Sequence, residues 1–242
     1  MRLLCLLIAT SFFYAQETLD IALEKYAAGV RAEDATEKSA LLNEALQMFL
    51  TVEREKPSGE LEYNIANTYF YLGDLGLAIA YYRHAQNYLP RDPRLQRNLQ
   101  IALERAQVKD KQIEWPVRDL IGFRWCSPFE RFLICLGVII FTFVLFSLHI
   151  YFSGFRVLWI ISGTLTGIIL FCITVFPLFF AERAVVLRVV PICTQPDSKP
   201  ETSLSAGEMV DVLGIEDQYA RIRTSDQRVG YVPKKKIMFV DV

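Results

Sequence analysis

The sequence is poor in the residues from which reactive sites are built. It has only two histidines, His84 and His149, and its five cysteines include no C-x-x-C pair and no spacing typical of metal ligands. Lys and Arg number 26 against 27 Asp and Glu, so there is no basic excess to neutralise a phosphate backbone. These absences argue against a metal site, a thiol redox site and nucleic-acid binding.

Catalytic motifs are missing as well. The two histidines are isolated from any Ser–His–Asp arrangement, no glycine-rich loop is spaced to hold a phosphate, and no carboxylate pair lies in a segment that would shift its pKa. We therefore expect a protein that is not an enzyme, with no catalytic residues, no metal and no cofactor.

Apart from His149, charge is absent from two apolar runs, residues 132–152 and 157–180, which are 21 and 24 residues long. A bilayer core of about 30 Å is spanned by about 20 apolar residues in a helix, and lipid offers the backbone no other hydrogen-bond partner. The short stretch between the runs then predicts a transmembrane hairpin over residues 132–180. Because a hairpin returns the chain to the side that it left, the parts before and after it face one compartment.

Residues 1–15 contain a third apolar segment, which follows one positive charge and is too short to span a bilayer comfortably. It matches a signal peptide ending near Ala15, which places both soluble parts outside the cytoplasm; an uncleaved anchor or a buried helix is the alternative. Basic residues before the first span favour the opposite orientation. Residues 109–131 hold two of the three tryptophans and are expected to form an interfacial segment.

Residues 17–108 have the composition of packed helices, and a spaced set of small and aromatic residues stands out within 59–92. Small residues let two helices approach closely, and glycine suits a turn with positive φ. The set is Ile65, Ala66, Tyr69, Gly73, Ala78, Tyr82, Ala85 and Pro90. It resembles the tetratricopeptide repeat over its period of 34 residues, although Glu62 stands where a large aromatic residue is usual. A degenerate unit with a loop at 31–38 precedes it, and a closing helix follows at 94–108.

The resemblance implies that the first helices of the array line a groove for an extended partner segment. The residues predicted to face this groove are Tyr63, Asn67, Phe70, Tyr71, Arg97 and Ile101. An asparagine can hydrogen-bond a peptide backbone, and aromatic rings offer contact area at low entropy cost. The alternative is that the aromatic residues only pack within the repeat. The basic pair that clamps a terminal carboxylate in chaperone-binding repeats is absent, so a receptor for chain termini is not expected.

Within the second apolar run, Gly163 and Gly167 form a G-x-x-x-G motif for membrane helix packing. Small residues at this spacing allow two helix backbones to approach closely. One interpretation is a contact with another membrane protein or a second copy. The other, which we favour, is a packing notch for the first helix of the same hairpin.

Residues 183–242 change to a period of two with β-branched residues, which predicts strands at 185–191, 208–214, 220–224 and 230–232. The module resembles a bacterial SH3-like domain, whose last strands carry an aromatic residue, alternating apolar residues and a closing Gly-aromatic-Val-Pro. Tyr219 and Tyr231 fill the two aromatic places here. The resemblance implies either a ligand face built on these tyrosines or a supporting barrel with both in its core.

We therefore predict a multi-domain membrane protein with an all-α tetratricopeptide array, a two-helix transmembrane hairpin and an all-β SH3-like barrel. This order resembles the BatE type of the bacterial aerotolerance proteins over nearly the whole chain. Membership implies a scaffold of the bacterial inner membrane, multi-pass, with both soluble domains periplasmic, other Bat-type membrane proteins as partners, and a role in envelope stress. The leading hypothesis is an adaptor that binds protein partners in its helical groove. The alternative is a peptidoglycan-binding or sensing protein acting through the barrel.

Overall fold

The computed structural model describes residues 2–108, 126–151, 156–174, 182–195 and 200–240. Most of the predicted interfacial segment, the turn of the predicted hairpin and the end of the second apolar run lie outside these ranges. The chain divides into two compact units: Met1–Lys111 together with Glu182–Val242 form one, and Gln112–Ala181 form the other.

The first unit begins with five helices that pack on their sequence neighbours. They are α1 (Arg2–Arg31), α2 (Ala35–Glu55), α3 (Gly59–Leu72), α4 (Leu75–Tyr88) and α5 (Pro93–Arg105). The main contacts pair α1 with α2 and α3 with α4, while α2 joins the pairs and α5 closes on α4 and α3. Helix α1 runs without a break past Ala15, so the signal peptide at 1–15 stays a prediction.

Side-chain caps decide where these helices begin. Asp34 accepts hydrogen bonds from the backbone N–H groups of Thr36 and Glu37, so α2 starts at Ala35 and the loop predicted over 31–38 is confined to residues 32–34. Asp92 caps α5 in the same way, with proline in the first turn. The predicted turn glycine, Gly73, ends α3 in the left-handed conformation with φ of 86°.

The positions predicted to pack within the repeat form the core of α3 and α4. Ile65, Ala66, Ala78, Tyr82 and Ala85 are all at most 1% exposed, which confirms the periodicity. The corresponding residues of the degenerate unit and of the closing helix are buried as well: Ala45, Phe49, Val52, Leu95, Leu99, Ala102 and Leu103. Each of these helices therefore buries one apolar face, as is required when helices pack in layers.

The same unit ends in a seven-stranded antiparallel sheet with the order β3-β2-β6-β5-β4-β1-β7. Its strands are β1 (Glu182–Val186), β2 (Val190–Cys193), β3 (Pro200–Leu204), β4 (Met209–Glu216), β5 (Tyr219–Arg223), β6 (Val229–Pro233) and β7 (Ile237–Phe239). The predicted strand over 185–191 is wrong as one element, since β1 ends at Val186 and β2 begins at Val190. Strand β3 was not predicted.

Strand β1 is covered on both faces, which joins the sheet to the helices. Successive side chains of a strand point to opposite faces. Ala184 and Val186 belong to the core of the sheet, whereas Val185 is fully buried in the helical core. Val240 lies in the helical core too, and its carbonyl accepts a hydrogen bond from Asn87 of α4.

Glycine at two positions lets the sheet approach α4 closely. A Cβ added to Gly76 would lie 1.9 Å from the carbonyl oxygen of Leu187, and one added to Gly207 would lie 2.4 Å from Cδ1 of Ile79. The sequence separates residues 17–108 from 183–242 by the apolar runs, but the two parts pack together in a single unit.

The second unit contains helices α6 (Pro128–Tyr151) and α7 (Arg156–Thr174), which pack against each other. In the described part of the chain one helix is long and apolar enough to cross a bilayer, Phe129–Ile150, with 22 residues and a mean hydropathy of 2.6. The apolar part of α7, Val157–Phe171, is shorter. Length and composition are the grounds for this assignment, and a second span stays a prediction.

Candidate functional site

The predicted groove residues lie on α3 and α5, whose facing sides are in contact. On α3, Tyr63, Asn67, Phe70 and Tyr71 follow one another at helical spacing and share a face. We call the surface that they form with Tyr26 of α1, with Lys38 at the start of α2 and with Arg94, Asn98, Ile101 and Arg105 of α5 the α1–α3–α5 face.

A hydrogen-bonded network lies at the base of this face. The Oδ1 atom of Asn67 accepts hydrogen bonds from the hydroxyl of Tyr82 at 2.6 Å and from Nδ2 of Asn98 at 2.9 Å. Asn98 Nδ2 also donates to the hydroxyl of Tyr63 at 2.9 Å. Asn67 is only 7% exposed and its oxygen is used internally, so only its Nδ2 is left for an incoming backbone carbonyl. Its first role is therefore to hold α3, α4 and α5 together.

A row of three aromatic rings, Tyr26, Tyr71 and Phe70, lies beside the network; Tyr71 is exposed and the other two are half-buried. Tyr71 is 43% exposed, and its ring meets Tyr26 at 6.1 Å and Phe70 at 5.9 Å between centroids, both edge-on. Lys38 Nζ lies 5.5 Å from the centroid of Tyr71, and Arg105 Cζ lies 4.5 Å from that of Phe70. Cation–π contact thus flanks the row on both sides.

Sequence inspection missed several members of this face. Arg94, Asn98 and Arg105 were not predicted, although they follow the helical spacing of Ile101 along α5 and could have been found by extending that stripe. Tyr26 and Lys38 come from α1 and α2, and no local pattern connects them with Tyr71.

The two predicted α5 residues, Arg97 and Ile101, lie on the surface, whereas the unpredicted Arg94 forms ion pairs. Ile101 is 39% exposed and Arg97 is exposed. Arg94 lies 5.7 Å from the ring of Tyr63 and forms ion pairs with Asp92 at 2.6 Å and Glu60 at 3.1 Å. The hydrogen bonds from the Arg94 side chain hold the pKa of Asp92 below its usual value. Arg94 is therefore already paired within the chain.

The carboxylate of Glu62, the departure from the repeat pattern, is fully buried. His84 Nδ1 of α4 lies 2.8 Å from Glu62 Oε1, as an ion pair without the alignment of a regular hydrogen bond. This contact raises the pKa of His84 above its ordinary value of 6.5, against the opposing effect of burial. Burial raises the pKa of Glu53, which lies nearby on α2, and the negative charge of Glu62 raises it further. No group of three or more His, Cys, Asp or Glu that could hold a metal is found among the described residues.

Tyr219 and Tyr231 lie together on the outer face of the sheet. In the register of β5 and β6, Tyr231 is opposite Arg221, which is two residues from Tyr219, so all three share one face. Both tyrosines are half-buried, while Ala220 and Val232, which follow them in β5 and β6, are fully buried in the core of the sheet. The interpretation that they form the barrel core is therefore wrong. The hydroxyl of Tyr231 lies 3.3 Å from Glu216.

Helix α6 does not pack against Gly163 and Gly167. A Cβ added to either glycine would meet no described atom within 4 Å. Helix α6 contacts the neighbouring positions instead: the Thr142 hydroxyl lies 3.1 Å from that of Ser162 and 2.5 Å from that of Thr166. The favoured interpretation, a notch for the same hairpin, is not what this packing uses, and a contact with another helix stays a prediction.

An open cleft of about 730 Å³ lies where α4 begins beside the sheet. Its lining includes Gly73, Asp74, Arg105, Arg188 and Ser205. Arg105 therefore stands between this cleft and the aromatic row.

No protein-family model matches this chain, and no curated protein or solved structure shows significant similarity to it.

Proposed function

We propose that this protein is a non-enzymatic, membrane-anchored adaptor that binds an extended segment of a protein partner on the α1–α3–α5 face. The observation that carries the proposal is the aromatic row beside the hydrogen-bonded network, in which Tyr71 is exposed and Tyr26 and Phe70 are half-buried. Rigid rings above an ordered base offer contact area at little entropic cost. The sheet packs against α4 and does not cover Tyr71 of the aromatic row, which stays exposed.

In this proposal the five helices form a short tetratricopeptide array, and the sheet is an SH3-like barrel that supports it. Helices α6 and α7 anchor both in the bacterial inner membrane as a two-span hairpin, with the helices and the sheet on the periplasmic side. The partners are other Bat-type membrane proteins, and the process is envelope stress or aerotolerance. The support for these finer assignments is the repeat-like spacing, the order of the segments and the apolar length of α6.

The test is photo-crosslinking in living cells from single positions of the full chain. A photoreactive amino acid at position 71 should capture a protein of defined size, whereas one at Gln47, exposed on α2, should not. A reporter fused after Val242 that is active only outside the cytoplasm would support the periplasmic orientation. Equal capture from both positions, or none from position 71, would reject the adaptor function.

The second candidate is peptidoglycan binding by the sheet. It is favoured by the juxtaposition of Tyr219 and Tyr231 on one outward face. Sedimentation of the full chain with purified peptidoglycan tests it: binding that is lost in the variant Tyr219→Ala with Tyr231→Ala supports this candidate. Binding that is unaffected by these changes, or absent, rejects it.

A further inference from the structure

We propose that the segment bound by the α1–α3–α5 face is acidic, with carboxylate side chains on both sides of an apolar residue. The inference rests on the proposed function and specifies the chemistry of the partner.

The first argument is the local sign of charge. Residues 17–108 contain fourteen acidic and ten basic residues, so the helical part as a whole is acidic. The charges that contact aromatic rings of this face nevertheless include three cations: Lys38, Arg94 and Arg105. The two carboxylates within ion-pair distance of Arg94, Asp92 and Glu60, are both paired with it. A basic surface on an acidic domain attracts an acidic ligand and disfavours a basic one.

The second argument is the availability of the cations at the two ends of the row. Within the described part of the chain, Lys38 and Arg105 contact aromatic rings and have no carboxylate within ion-pair distance. Arg94 differs from them, because Asp92 and Glu60 already neutralise it. Rings that hold a cation in place without neutralising it leave its charge free for a ligand.

The third argument is spacing. The order along the row is Lys38, Tyr71, Phe70, Arg105, linked by three contacts of 4.5 to 5.9 Å. An extended segment advances about 3.3 Å per residue, so one of about five residues reaches from one cation to the other. Its central residue would lie over Tyr71 and Phe70. The predicted ligand is therefore an internal stretch with two carboxylates about four positions apart around an apolar or aromatic residue, and no chain terminus is needed.

The test is selection of a phage-displayed library of random nine-residue peptides on the detergent-solubilised full chain. We expect enrichment of Asp and Glu on both sides of an apolar residue. Synthetic peptides from the selection, with the acidic residues changed to Gln, should bind roughly 1.5- to fivefold more weakly per carboxylate removed, a range set by exposed ion pairs. Raising the salt concentration should reduce this difference.

The variant Lys38→Glu with Arg105→Glu should shift the selection towards Lys and Arg. A matched control is Arg54→Glu with Lys235→Glu, which makes the same change in net charge at exposed positions away from this face. The control should keep the acidic preference. If it also loses that preference, net charge alone explains binding and the inference is rejected.

Two further outcomes separate this inference from the adaptor function. Selection of apolar peptides without acidic residues, lost in Tyr71→Ala, rejects the acidic ligand and leaves the adaptor function in place. No selection at all, together with no crosslinking from position 71, rejects both.

Discussion

His84 Nδ1 lies 2.8 Å from Oε1 of Glu62, and the carboxylate of Glu62 is fully buried between α3 and α4. Within the described part of the chain this carboxylate has no aligned hydrogen-bond donor, so His84 provides its principal counter-charge. A buried charge that loses its partner is strongly destabilising. The stability of the α3–α4 pair is therefore linked to the protonation of one histidine.

This linkage predicts that the helical part loses stability as the pH rises above 6.5. The pKa of His84 is raised in the folded state, so its contribution is complete below the ordinary value of 6.5 and is lost as the pH rises through the folded-state pKa. The pKa of Glu53 is raised as well, so its contribution to stability is likewise lost as the pH rises above its ordinary pKa of 4.5. We expect a decrease of about 1 kcal/mol in the free energy of unfolding. Urea titrations between pH 5.5 and 8.5, followed by circular dichroism in mild detergent, measure it.

The control is the double variant Glu62→Gln with His84→Gln, which removes both charges and should flatten this pH dependence. The single variant His84→Ala should instead lose about 3 kcal/mol at pH 5.5, because it leaves Glu62 buried and unpaired, and this difference from the unsubstituted chain should decrease as the pH rises. If the double variant kept the full pH dependence, other groups would be responsible.

The network below the aromatic row predicts opposite behaviour for two neighbouring residues. Asn67→Ala removes the acceptor of Tyr82 and Asn98, so we expect a loss of about 1–3 kcal/mol of stability and faster hydrogen exchange in α3 and α5. Tyr71→Ala removes an exposed ring, so its stability should change by less than about 1 kcal/mol while partner capture is lost. Hydrogen-exchange mass spectrometry on both variants measures this contrast. Equal destabilisation would show that Tyr71 is a structural residue.

The contact between α4 and the sheet predicts that Gly76 tolerates no side chain. The Cβ of Gly76→Ala would lie 1.9 Å from a backbone carbonyl, so α4 and β1 must separate, at a cost of about 1–3 kcal/mol. We expect hydrogen exchange to rise in β1 and α4 of the full chain. Gly214→Ala is the matched control, because a Cβ there meets nothing within 4 Å. A variant Gly76→Ala with unchanged exchange in both elements would mean that the sheet does not depend on this approach.

The hydroxyl cluster between α6 and α7 predicts a specific effect of Thr142. Thr142→Val removes its contacts with Ser162 and Thr166, and hydrogen bonds of this kind contribute about 0.6–2 kcal/mol between membrane helices. Thr164→Val is the control, since among the described residues the Thr164 hydroxyl bonds the backbone of its own helix, at Ile160 and Ile161. Unfolding by sodium dodecyl sulfate, followed by tryptophan fluorescence, compares them. Identical curves for the two variants would contradict the contact.

Local properties of this chain could be predicted from its sequence. The helical period located the buried faces of α3 and α4, and Gly73 marked the turn between them, because periodicity and positive φ are set by residues close in the chain. The apolar length of α6 belongs to the same category. Strand boundaries were harder: the segment 185–191 is apolar apart from Arg188 and hides a break after β1, since the Val residues on both sides of the break give no signal of where one strand ends.

By itself, then, the amino-acid sequence determined the buried faces of the helices, the apolar segments and the β-rich end of this protein, because each depends on neighbouring residues. Only the tertiary structure decided which of their residues contact one another. Val185 faces the helices while Val186 faces the sheet, Glu62 meets His84, and Lys38 and Arg105 flank one aromatic row. These contacts join residues far apart in the chain, and their energies depend on burial that only the packed fold creates.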